Sequence, residues 1–155
     1  MIKRIITLIG LLAVLAAVSA CAAQKPAGGD SALSAAPVQP VKKDLLHHNY
    51  VLQSLDGKDF VSEFKTPNLS FNEGFRVSGQ VCNSFFGQAE LADGVLWVEN
   101  MASTMMLCPD PKLNELEGLF GQMLRAGARV ELDGDKLILR QGGHELVYKL
   151  RDYVN

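Results

Sequence analysis

Apart from one stretch at its start, the chain has no long hydrophobic run, and it holds only three cysteines, three histidines and one tryptophan. Each scarcity excludes something. There is no Lys/Arg cluster: Lys58, Lys65, Arg76, Arg129, Arg140 and Lys149 are dispersed, so nothing supplies the basic patch on which nucleic-acid binding rests. The formal net charge of -2 falls further if residues 1–20 are removed, because Lys3 and Arg4 go with them. Histidine and cysteine do not fall at ligand spacing, so no zinc site is expected, and His47, His48 and His144 lack an accompanying carboxylate constellation. A nucleophile elbow, a phosphate-cradling glycine loop and a paired-carboxylate spacing are all missing. The chain is therefore expected not to be an enzyme and to need no cofactor or metal. No internal repeat marks a solenoid, and 155 residues suit one domain.

What is present begins with a leader. Lys3 and Arg4 precede an apolar run from Ile5 to Val18, which at about 14 residues is short for a bilayer span and suits a signal-peptide core. Val18-Ser19-Ala20-Cys21 then resembles the bacterial lipobox, in which the cysteine is acylated; plain secretory cleavage after Ala20 is the competing reading. Two or three acyl chains, at about 0.8 kcal/mol per buried CH₂, hold a protein on a membrane almost irreversibly. By resemblance to enterobacterial sorting, Ala22 after the cysteine points to the outer membrane, facing the periplasm. The division is thus signal peptide over 1–20, lipidated Cys21 and flexible linker over 21–44, and a folded domain over 45–155. The linker is rich in Ala, Pro, Gly, Ser and Gln and cannot bury enough surface to offset its ordering entropy.

From Leu45 onward, short alternating runs separated by turn signals predict strands. Tyr50 to Leu55 is the first, ending at Asp56-Gly57. Asn68–Phe71 and Phe75–Gly79 form a hairpin turned at Asn72-Glu73-Gly74. Gly87–Ala92 and Val95–Val98 form another, around an Asp93-Gly94 turn whose central positions favour positive φ. Gly134 and Gly142-Gly143 break the C-terminal part into a three-stranded meander. Between the halves one helix is expected. Asp110 is its N-cap, Pro111 its first residue and Gly127 its stop, with Leu113, Leu116, Phe120, Met123 and Leu124 on one face and Glu115 and Glu117 near its positive end. The fold class read from this is α+β: a strongly curved antiparallel sheet, a partial barrel, with one amphipathic helix packed on it.

With Cys21 taken by lipid, Cys82 and Cys108 are expected to pair in an oxidising compartment; a metal site or two separate buried thiols are the competing readings. Arg76-Val77-Ser78-Gly79, Cys82-Asn83, Phe85-Phe86-Gly87 and the run from Met101 through Ser103-Thr104-Met105-Met106-Leu107-Cys108 together resemble the META domain family. Leu113-Asn114-Glu115-Leu116 and the closing Tyr148–Tyr153 resemble a heat-inducible lipoprotein branch of it. The resemblance spans about residues 45–155. It implies a curved antiparallel sheet with a helix, an envelope location, induction under heat stress and a link to novobiocin resistance, and it supplies no catalytic residues.

Asn83, Ser103 and Thr104 flank the two cysteines, so a disulfide would gather them into a polar recognition spot; local turn hydrogen bonding is the plainer reading. The run Met101, Met105, Met106 is expected to fill core or half-core space rather than form an adaptable surface. Asp133-Gly134-Asp135 is a hairpin turn, since the other calcium-loop positions are absent. The expected function is that of a non-catalytic, monomeric envelope stress protein, held to the membrane through Cys21 and acting through contacts with an envelope protein. The alternative is a binder whose curved sheet holds an antibiotic or lipid fragment.

Overall fold

The computed structural model describes residues 39–154; the leader, Cys21 and most of the linker lie outside them. Among the described residues there are nine strands: β1 (His48–Leu55), β2 (Lys58–Asp59), β3 (Asn68–Asn72), β4 (Arg76–Gln80), β5 (Ser84–Ala92), β6 (Val95–Ser103), β7 (Ala128–Asp133), β8 (Lys136–Gln141) and β9 (His144–Tyr153). Two α-helices accompany them, α1 (Lys42–Leu45) before β1 and α2 (Pro111–Ala126) between β6 and β7, with a 3-10 turn (Glu73–Phe75) between β3 and β4. All pairings are antiparallel. The order β1-β3-β4-β5-β6-β7-β8-β9 returns to β1, which pairs with β9 along nearly its whole length, while β2 hangs as a two-residue ribbon on β1. The sheet is therefore a closed eight-stranded barrel, where the sequence pattern predicted a partial one. Closure requires strands to coil, and the register shifts at Asn49/Tyr50 and Leu52/Ser54 in the β1–β9 ladder supply the local bend.

Alternation decides which residues enter the barrel. Tyr50 and Leu52, Leu69 and Phe71, Leu96 and Val98, Leu137 and Leu139, and Leu146 and Tyr148 each sit two apart on their strand, and Phe85 and Ala89 four apart on theirs, and all are buried in one core. The interior is thus occupied by the chain's own side chains and is not where a ligand would rest. At Gly79 a Cβ would collide with the Asn68 carbonyl oxygen, and the Phe85 ring lies over the same spot. Only glycine lets β4 pass so close to β3.

The hairpin turns obey the local chemistry. Asp93 and Gly94 have φ of 50° and 71°, and Asp56 and Gly57 have 51° and 73°, the double positive φ of a type I′ turn. In α2 the Asp110 carboxylate accepts the Lys112 amide at 3.0 Å, and Gly127 (φ 92°) ends the helix. Glu115 and Glu117 lie beyond the first turn, so the predicted dipole role fails for both. Strands β6 and β7 are paired only at Val95/Arg129 and Leu96/Ala128. α2 spans the chain between them and buries Leu113, Leu116, Phe120, Met123 and Leu124 against the core, with the Phe120 ring 4.9 Å from that of Phe85.

The last residues of the stretch predicted as linker belong to the folded domain. Pro40 is buried, Asp44 Oδ2 accepts the Val41 amide at 3.0 Å, and Leu45 is fully buried. Gln39 lies beside Gly94, so the chain enters at the pole of the barrel that carries the β5–β6 turn. The opposite pole carries the end of β4, the start of β5, the end of β6 and the start of α2.

Candidate functional site

At that opposite pole, Val81-Cys82-Asn83 turns the chain from β4 into β5, and residues 104–110 lead from β6 into α2. Cys82 is joined to Cys108 by a disulfide, with Cα atoms 5.8 Å apart. Cys82 is fully buried, so the bond fastens the 104–110 loop to the barrel rim.

Asn83 is 5 % exposed and hydrogen-bonded on both ends of its amide. Its Oδ1 accepts from the Thr104 hydroxyl at 2.9 Å and the Met106 amide at 2.7 Å. Its Nδ2 donates to the Met106 carbonyl at 3.0 Å and to Glu117 Oε2 at 3.0 Å. Glu117 Oε2 also accepts the Asn83 backbone amide at 3.2 Å, and the Ser103 hydroxyl donates to Glu117 Oε1 at 3.3 Å. A buried amide must fill both donor and acceptor positions, and here it does so with a neighbouring loop and a helix. The structure therefore brings Asn83, Ser103 and Thr104 together, chiefly as an internal clamp. Asn114 secures the other end of the loop, accepting the Cys108 amide at 3.1 Å and donating to the Cys108 carbonyl at 3.0 Å. Lys65 Nζ donates to the Cys82 carbonyl at 2.9 Å.

The clamp has an outward consequence. Because Met106 gives both backbone groups to Asn83, the side chains of the loop turn away from the core. Met105 is 97 % exposed, Met106 59 % and Leu107 89 %. This corrects the expectation that the methionine run fills the core: only Met101, half-buried on β6, packs against it. Three consecutive large apolar residues in water are costly to solubility and mark a contact surface when they are held rigidly. A shallow groove lined by Asn83, Ser103, Thr104, Asn114 and Glu117 runs beside this ridge. Glu117 and Asn114 reach the site from α2 and Lys65 from the segment between β2 and β3, so no local pattern in the sequence attaches them to the two cysteines.

The other candidates fall elsewhere. His47 and His48 sit at the chain-entry pole, with the His48 ring 4.9 Å from that of Tyr153. His144 Nδ1 lies 2.8 Å from Asp56 Oδ2, tying the β8–β9 turn to the β1–β2 turn. Among the described residues no three His, Cys, Asp or Glu side chains converge as a metal site. Asp133-Gly134-Asp135 forms the β7–β8 turn, with Asp135 3.6 Å from Lys149. Cys21 lies outside the described residues.

Residues 43–153 match the META domain family. Over 113 residues the chain is 40 % identical to Heat shock protein HslJ of Escherichia coli (strain K12), spanning 73 % of this chain and 81 % of that protein. A protein solved by NMR is 39 % identical, with a TM-score of 0.68 over 73 % of this chain and 97 % of its own. Another NMR structure, of a protein from Burkholderia xenovorans, is 20 % identical with a TM-score of 0.59, covers 80 % of this chain and 97 % of its own, and shares the fold.

Proposed function

Since this chain belongs to the META domain family, we propose that it is a non-catalytic stress protein of the bacterial cell envelope, held by lipid on Cys21 at the outer membrane and working by contact with an envelope protein. The stress role rests on the likeness to a heat shock protein. The anchoring rests on Val18-Ser19-Ala20-Cys21 and Ala22. One observation carries the mode of action: Met105, Met106 and Leu107 are presented outward by a loop fastened through a disulfide and a saturated buried amide. A loop fixed in this way loses little conformational entropy on docking, so its apolar area contributes to affinity more fully than that of a floppy loop. The link to novobiocin tolerance belongs to the same reading, as a consequence of envelope integrity rather than of drug chemistry.

Photo-crosslinking in cells from Met105 and Leu107, followed by mass spectrometry, tests the reading. Discrete protein adducts are expected, and Met105→Asp/Leu107→Asp should abolish both the adducts and any novobiocin tolerance while leaving the fold intact. Absence of adducts from either position, before and after heat shock, would overturn it. In the same cells Cys21→Ser should move the protein from the membrane fraction to the soluble periplasmic fraction.

A further inference from the structure

At the same pole lies a second feature, a cleft of about 450 Å³ between the β1–β2 hairpin and the start of α2. Its apolar surface comes from Leu55, Phe60 and Leu119, each only half-buried against the core, from the buried Leu116 and from Val61, which is 73 % exposed. Four charges stand on its rim: Lys58 and Asp59 on the strand side, Lys112 and Glu115 on the helix side. Among the described residues none of these four forms a salt bridge. The remaining polar groups of the rim, Asp56 and His144, are engaged with each other. The volume lies within the range of small-molecule sites, and an apolar floor with a few polar groups is how such sites are built. Each wall carries one cation and one anion. A head group of a single sign would be attracted by two rim charges and repelled by two, whereas a head bearing both signs can satisfy all four.

We propose that this cleft binds a single-chain zwitterionic amphiphile. Its alkyl tail lies over Leu55, Phe60, Leu116 and Leu119, and its head, carrying a phosphate ester and an ammonium group, lies between Lys58 and Lys112 on one hand and Asp59 and Glu115 on the other. The site shares no residue with the Met105–Leu107 ridge and does not depend on what the ridge contacts.

A solved relative 39 % identical consists almost entirely of this domain, so residues 39–155 are expected to fold alone, which a cooperative thermal melt checks before the titration. The probe is lauroyl-lysophosphatidylethanolamine below its micelle-forming concentration, followed through backbone amide resonances. Saturable shifts centred on Val61, Lys112, Glu115 and Leu119 are expected. Val61→Ser/Leu119→Gln and, separately, Lys58→Glu/Lys112→Glu should each weaken binding about tenfold or more. The charge-reversing pair, on exposed residues, is expected to leave the melting temperature near that of the parent, whereas the apolar pair lowers it because Leu119 packs partly on the core. Glycerophosphoethanolamine, the head without a tail, should bind at least about tenfold more weakly; equal affinity would make the site one for free phosphate esters and overturn the proposal. Equal binding of dodecyl maltoside, indifferent to the charge-reversing pair, would overturn the assignment of the head group. Shifts that never saturate, or that centre on Met105–Leu107, would overturn the site itself.

Discussion

Asn83 commits its whole side chain to one loop and one helix, and the physical cost of losing it follows from its burial. Asn83→Ala takes their Asn83 partner from the Thr104 hydroxyl and from the Met106 amide and carbonyl, and leaves Glu117 with only the backbone amide of residue 83 and the Ser103 hydroxyl. A loss of about 2–4 kcal/mol is expected from denaturant titration, given the penalty for buried groups left unpaired. Asn83→Asp is a sharper probe, because it sets a second carboxylate against Glu117. That variant should be less stable than the parent at neutral pH and recover as the solution is acidified, which a titration of thermal midpoints would show. Gly79→Ala places a methyl group against the Asn68 carbonyl, and the backbone of β3 must give way. It should cost about 1–3 kcal/mol, and amide exchange should quicken first in β3 and β4. Asn83 and Gly79 both stand within the motif that resembles the family, as do Thr104, Met106 and Phe85, but Glu117 and Asn68 do not. Glu117 reads in sequence as one more solvent-facing helix carboxylate, and nothing local reveals that it closes the clamp.

Among the elements, those governed by local chemistry were legible. Asp110, Pro111 and Gly127 bound the helix as the capping rules require, and the Asp-Gly turns adopt the positive φ that only such residues accept cheaply. The ends of β5 and β6 were not legible. At the start of β5 burial still alternates, but the exposed residue is Phe86 and the buried one Gly87, so hydrophobicity hides it; in β6 Glu99, Asn100, Ala102 and Ser103 are exposed and the alternation fades although the ladder continues. The 104–108 loop was misread for the same reason in reverse: hydrophobicity alone says core, while the backbone hydrogen bonds to Asn83 turn the side chains out. The disulfide belongs to this scale as well. Cys82→Ser/Cys108→Ser opens a loop with a sequence separation of 26, for which chain entropy gives about 3.5 kcal/mol. The melting temperature should fall by several degrees, and an unchanged value would mean that the Asn83 clamp alone holds the loop.

For the whole molecule, closure of the barrel through β1 and β9 places Tyr50 and Tyr148 in its core. Burial, followed by the nearby Tyr153 and Asp44, pushes the Tyr50 phenol up to about 12, and burial pushes Tyr148 up as well. Unfolded tyrosine ionises near 10. The native state therefore holds these protons after the unfolded chain releases them, so stability is fully present below about pH 10 and declines above it. Urea midpoints at about pH 9 and pH 11 should differ in that direction. At the acid end, Asp56 is held below the usual carboxylate range by the Glu145 amide and then by His144. Its contribution is present above the ordinary carboxylate value and is lost as pH falls through the depressed one. Asp56→Asn should flatten the acid limb of the stability profile.

The order of the hairpins, the helix with its two ends and the alternation that faces the core were all determined by the sequence itself, because each depends on residues within a few positions of one another. Only the tertiary structure decided that the sheet closes, that Glu117 meets Asn83 and Lys65 the Cys82 carbonyl, that Met105–Leu107 face water and that a charged-rimmed apolar cleft opens at the same pole. These features join residues from strands and helices far apart in the chain, and their geometry is set by coiling and register, which no local pattern encodes.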